Sequence, residues 1–118
     1  MKPHNYRKLE IWKKSTKLAT SIYQLTQYYP KHEIYGIVSQ MRRSAVSISS
    51  NIAEGAGRSY SKEFSRFLRI AYGSACELET QLLISQNLNF ISEDVYSNMV
   101  EKVDEIQKMI YVFEKRLN

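Results

Sequence analysis

The chain has little of what sheets, disulfide scaffolds and metal folds are built from. One cysteine, Cys76, stands among 118 residues, which rules out an internal disulfide. The two histidines, His4 and His32, belong to no Cys/His cluster of zinc-ligand spacing. Glycine and proline, four and two residues, are scarce against a usual share of about 12%. Tight turns must then be few, which argues against a sandwich or barrel and for long helices with short connections. No run approaches the roughly 18 apolar residues of a membrane span, and no apolar stretch follows the charges of the opening MKPHNYRKLEIW. The expectation is therefore no membrane segment, no signal peptide and a soluble cytoplasmic protein. The rest is ordinary globular composition, 43% hydrophobic and 25% charged, enough for one domain over residues 1–118 with a single core.

Four stretches carry apolar residues at alternating spacings of four and three, which lines up one face of a helix. The first is Ile11, Ser15, Leu18, Ile22, Leu25 and Tyr29, widened by Trp12 and ended by Pro30. The second is Ile34, Val38, Met41, Ala45, Ile48 and Ile52, closed by Gly55 and Gly57, which suit left-handed backbone past a helix end. The third is Phe64, Leu68, Ala71, Ala75, Leu78, Leu82 and Ser85, with Ser61 as its expected N-cap. The fourth is Met99, Val103, Ile106, Ile110, Phe113 and Leu117, with Ser92 as N-cap. Helices of about 20 residues joined by short connections must pack antiparallel to their neighbours. The fold class is all-α, an antiparallel up-down-up-down four-helix bundle.

The net charge of +5 is unevenly spread. Residues 1–31 carry +6 and residues 55–73 carry +3, whereas residues 74–118 carry −4. A basic half points to a polyanionic partner, and the acidic half could meet the basic half of another copy. On that view Glu101, Asp104 and Glu105 face a neighbouring subunit, although Asp104 is equally placed to pair with Lys108 one helical turn on.

Catalytic patterns are missing. A carboxylate-bridged metal pair needs Glu-x-x-His motifs, and neither histidine has a glutamate three residues before it. Glu77 and Glu79 diverge on a helix, and Cys76 beside the apolar stripe reads as a small packing residue. Ser44, Ser47, Ser49 and Ser50 have no histidine to activate them. They read as small side chains allowing close helix approach, at a subunit interface or on a solvated face. The expectation is no enzyme, no metal and no cofactor.

The basic residues carry more. Lys62, Arg66 and Arg69 are spaced four and three on the outer face of the third helix, with Arg58 just before it. The start of that helix, flanked by Arg58 and Lys62, is a candidate phosphate site. Lys13 and Lys17 share the outer face of the first helix, and Arg42 and Arg43 edge the second stripe. Any one of these reads equally as a solvated charge, but as a set they form a candidate nucleic-acid surface. Tyr6, Trp12, Tyr60 and Tyr72 lie among them, and exposed aromatics stack on unpaired bases.

The segments YRKLEIWKKS, YGIVSQMRRSAVSISSNIAEGAGRSYSKEFSRFLRIAYGS and ELETQLLIS closely resemble the bacterial four-helix bundle proteins encoded by intervening sequences in 23S ribosomal RNA genes, a family sometimes labelled ribosomal. That family is in turn similar to the accessory variability determinant of diversity-generating retroelements, which associates with a reverse transcriptase and nucleic acid. The resemblance implies a homopentamer of four-helix bundles with a basic surface and no catalytic residues. Arg42 and Arg43 match the family's paired arginines, Asn51, Glu54 and Gly55 its N-I-A-E-G run, and Arg58 the arginine beyond. Glu63, Phe64, Phe67 and Leu68 match its E-F-x-x-F-L. Ser49 departs, where proline is common, as do Ala75 and Cys76, where leucine is frequent. The resulting expectation is a non-enzymatic, homo-oligomeric protein that binds RNA or DNA through phosphates, the alternative being an accessory subunit docking onto a larger enzyme such as a reverse transcriptase.

Overall fold

A computed structural model describes residues 2–117. Four helices follow one another: α1 (Glu10–Thr26), α2 (Ile37–Ala56), α3 (Ser61–Asn87) and α4 (Glu93–Leu117). Single 3-10 turns at Tyr6–Lys8 and Lys31–Glu33 precede α1 and α2. The two longest, α3 with 27 residues and α4 with 25, exceed the expected twenty or so, and the bundle is 46 Å along its long axis.

Packing partners establish the antiparallel order. Between α2 and α3, Ser44 pairs with Glu77, Ser47 with Ser74, and Gly55 abuts Phe67, so one number falls as the other rises. The same holds between α3 and α4, where Ser65 and Arg69 reach Glu114 and Cys76 meets Gln107. Consecutive helices are neighbours, α4 closes back on α1, and α1 and α3 lie diagonally apart without contact.

The core is built from the expected stripes. Phe64, Leu68, Leu78 and Leu82 of α3 face Met41, Ile48 and Ile52 of α2, all fully buried, with Leu18, Ile22, Ile106 and Ile110 completing it. The hydroxyls inside it are satisfied locally. Ser15, Thr26 and Ser85 donate to the carbonyls of Ile11, Ile22 and Gln81 at 2.6, 2.7 and 2.8 Å, each one turn back. The N-terminal arm crosses the end of the bundle, with His4 N–H donating to Ala56 O at 2.8 Å and its ring edge-on to Phe64 and Phe113.

Several local expectations are corrected. Ile34 is 46% exposed, because the 3-10 turn and Gly36 delay the start of α2 to Ile37 and take Ile34 out of the helical register. Gly55 lies inside α2 and is buried, and Gly57 has φ −77°, so neither is left-handed. That conformation falls instead at Asn89, φ 61°, in the α3–α4 connection. Ser61 is the first residue of α3, with Tyr60 in the capping position. Ser92 does cap α4, accepting from the Val95 N–H at 3.2 Å. Cys76 is exposed and takes a contact from the Gln107 amide at 3.6 Å, so it is a surface residue of the α3–α4 seam.

Candidate nucleic-acid interface

The fold turns the uneven charge of the sequence into an axial one. The starts of α1 and α3 and the ends of α2 and α4 share one end of the bundle. When each helix is divided at its centre, that half (residues 2–18, 47–74 and 105–117) holds thirteen Lys/Arg against five Asp/Glu, net +8. The other half holds four against seven, net −3. An end with this excess of positive charge attracts polyanions by its field before any contact forms. Reading charge by segment missed Lys108, Lys115 and Arg116 in this end, since the acidic α4 returns its basic last turns to it. Charge counted by height in the antiparallel bundle would have found them.

The eight cationic candidates fall on separate faces. Lys13 and Lys17 are exposed on α1, diagonal to α3. Lys13 reaches Glu10 at 3.4 Å, and Lys17 borders a depression between α1 and α4 where Lys14 pairs with Glu105 at 2.9 Å. Arg43 is exposed on the half of α2 that belongs to the acidic end. Its neighbour Arg42 turns inward. The Arg42 guanidinium lies 4.6 Å over the Tyr23 ring, and its Nε donates to Thr26 Oγ1 at 3.0 Å, tying the start of α2 to the end of α1.

The remaining four gather around the start of α3. Arg58 lies 5.0 Å over the Phe67 ring and 3.8 Å from Glu54. Arg69 Nε pairs with Glu114 Oε2 at 3.1 Å, and Glu114 also accepts from Ser65 at 2.5 Å. Lys62 and Arg66 differ from both: they are exposed, and among the described residues neither side chain makes an ion pair or hydrogen bond. With Glu63, Arg69 and Ile70 they border a shallow depression of about 650 Å³. Two free cations one turn apart, on a helix face pointing away from the core, can each neutralise a phosphate.

A family model described as 23S rRNA-intervening sequence protein matches residues 7–112. The chain belongs to that family. Among curated proteins, none matches it. This family member is similar to a crystal structure of a protein of unknown function from the S23 ribosomal protein family, from Bacteroides thetaiotaomicron VPI-5482. Identity is 25% and the TM-score 0.80, over 89% of this chain and 98% of that one. The span matched by the intervening-sequence model contains all eight candidate cations, while Lys115 and Arg116 lie beyond it.

Two of the four serines that sequence reasoning left to close approach or solvent, Ser44 and Ser47, do something else in this intervening-sequence protein. Ser44 donates to Glu77 Oε1 at 2.6 Å, Ser47 and Ser74 share a hydrogen bond of 2.9 Å, and Asn51 donates to Ser47. They form a polar seam joining α2 to α3. Glu105, expected to face a neighbouring subunit, pairs within the chain with Lys14, and Asp104 takes the alternative partner that the sequence offered, Lys108, at 3.0 Å. Among the described residues no group of three or more His, Cys, Asp or Glu could hold a metal ion, and no helix is long and apolar enough to cross a membrane.

Proposed function

We propose that this protein is a non-catalytic, homo-oligomeric helical bundle that binds RNA or DNA through backbone phosphates with little sequence preference. The observation that carries the reading is the exposed, unpartnered pair Lys62 and Arg66 on an end of the bundle with net charge +8. Their neighbours Arg58 and Arg69 have carboxylate partners, yet Arg69 borders the same depression and Arg58 stands at the same end, so both extend the positive potential. Lys13, Lys17 and Arg43 serve as secondary contacts on other faces, and Arg42 as a positioning residue. The 23S rRNA and ribosomal labels of the family and of its structural neighbour point toward the same class of partner.

The test is fluorescence anisotropy with labelled single-stranded RNA, duplex RNA and duplex DNA across a salt series. Lys62→Glu/Arg66→Glu should weaken binding to all three and flatten the dependence of log affinity on log salt by about 1.5–2, since two phosphate contacts are lost. Unchanged affinity and slope would remove this stripe from the interface.

One observation favours a second reading, docking onto a larger protein such as a reverse transcriptase. Apolar and aromatic side chains crowd the opposite end, with Tyr28 86%, Tyr35 95% and Leu88 52% exposed. Such a patch fits a protein surface, whether of a partner or of further copies in a homopentamer. Solution mass before and after Tyr28→Ser/Tyr35→Ser tells the two apart, since only self-assembly changes the mass of the isolated protein.

A further inference from the structure

Beyond the phosphate stripe, α3 and α4 leave a cleft whose chemistry differs from the rest of the basic end. Its position is fixed on both sides. On the side of the α3 start, Ser65 and Arg69 hold Glu114; toward the other end, Cys76 meets Gln107. Between these contacts Tyr72 of α3 and Tyr111 of α4 line a common depression of about 410 Å³, with Gln107, Lys108 and Val112 beneath and beside them. Both tyrosines are at the surface, 38% and 55% exposed. Lys115 Nζ sits 5.1 Å from the Tyr111 ring centroid. Tyr72 follows Lys62 by about 15 Å of helix rise and is turned by about 80° around α3 from it, toward α4.

We infer that the cleft between Tyr72 and Tyr111 stacks unpaired nucleobases, so that the protein prefers single-stranded nucleic acid over duplex. This rests on the nucleic-acid reading above and narrows it. Phosphates alone would be served by the lysines and arginines, and a duplex keeps its bases turned away from such a cleft. Two tyrosines lining one depression offer π-faces, and every base has one. Asp104 also borders the cleft, held at 3.0 Å by Lys108. The pair leaves this wall of the cleft with no net charge, which suits a neutral base better than a phosphate. Lys115, over the Tyr111 ring, is placed to meet the phosphate of a base stacked beside it.

The experiment measures binding of a labelled single-stranded oligonucleotide and of the same sequence as duplex. The proteins are wild type, Tyr72→Leu/Tyr111→Leu, Tyr72→Phe/Tyr111→Phe and each single Leu variant, with thermal melts confirming that all are folded. Leucine keeps apolar bulk and removes the π-face. The expected result is tighter single-strand than duplex binding by wild type, and a loss of about 10- to 100-fold in single-strand affinity for the double Leu variant. Duplex affinity and the salt slope should stay unchanged, and the Phe variant should bind like wild type. Equal single-strand affinity in wild type and the double Leu variant would overturn the stacking site while leaving the phosphate stripe standing. An equal loss on duplex and single strand would overturn it too, since a stacking site reaches only unpaired bases. Absence of binding by wild type to either probe at low salt would sink both this site and the nucleic-acid reading.

Discussion

A Cβ added at Gly55 on α2 would lie 2.7 Å from Phe67 Cβ and 2.9 Å from Phe64 Cδ1 on α3. The glycine is there to let two helices approach, since its φ is negative and any residue could adopt its backbone. Phe67 Cβ is fixed to its own helix and cannot swing aside. Gly55→Ala should therefore destabilise the bundle, because overpacking of about 1–3 kcal/mol outweighs the roughly 1 kcal/mol that alanine gains in a helix. Gly73, in mid-α3 with nothing within 4 Å of the same added atom, is the control. Gly73→Ala should stabilise by about 0.5–1 kcal/mol. Urea unfolding of the two variants checks this, and the same sign for both would refute the steric argument.

Adjacent arginines should behave in opposite ways. Arg42 stacks on Tyr23 and donates to Thr26, whereas Arg43 faces solvent. Arg42→Ala should cost about 1–2 kcal/mol, from a lost cation–π contact and a lost charge-assisted hydrogen bond. Arg43→Ala should change stability by less than about 0.5 kcal/mol. Thermal melts suffice, and a cost for Arg43→Ala equal to that of Arg42→Ala would contradict the placement.

The four apolar stripes were legible because helical periodicity is a local property: all seven stripe positions of α3 are buried. Where the register was lost, at Ile34, the cause is also local, a 3-10 turn that no apolar spacing announces. Partners far apart in sequence were not legible. Ser44 and Glu77 are 33 residues apart, and nothing around either says that they meet. The candidate site was half legible for the same reason. Lys62 and Arg66 stand out as a helical stripe, while the pairing of Arg69 with Glu114 and the convergence of Tyr72 with Tyr111 depend on how α4 returns along α3. Gly55 illustrates a further ambiguity, since scarce glycine signals either unusual backbone or close packing, and the sequence does not distinguish them.

Tyr29 predicts an alkaline response. It is 5% exposed, its ring packs 5.4 Å from that of Phe90, and its hydroxyl makes no hydrogen bond of good geometry. Burial raises its pKa above the ordinary 10, partly offset by the nearby Ser85 hydroxyl. A raised folded-state pKa means that the neutral phenol's contribution is intact below about pH 10 and is lost as pH rises through the folded value. Tyr29→Phe should leave stability at pH 7 unchanged or up to about 1 kcal/mol higher, as an unpaired buried hydroxyl is removed. It should also flatten the loss of stability above pH 10. Unfolding midpoints at pH 7 and 10.5 test both parts, and an unaltered alkaline loss would refute the assignment to Tyr29.

Glu114 holds one of the four cations around the start of α3 in check. Its side chain is 21% exposed against 68% for Arg69, and it accepts from both Ser65 and Arg69. A half-buried carboxylate on the phosphate-binding face opposes a polyanion twice, by its own charge and by occupying a guanidinium. Glu114→Gln keeps the side chain's size and its acceptor for Ser65 while removing the charge, so the packing of α4 on α3 should persist with a loss below about 1 kcal/mol. Nucleic-acid affinity should rise, and the slope of log affinity against log salt should steepen by about 0.9 as Arg69 gains a phosphate. The steepening should vanish when Arg69→Ala is combined with Glu114→Gln, and the rise should shrink to the part owed to the carboxylate's own charge. A rise and a steeper slope undiminished by loss of Arg69 would mean that the freed arginine contributes nothing to this face.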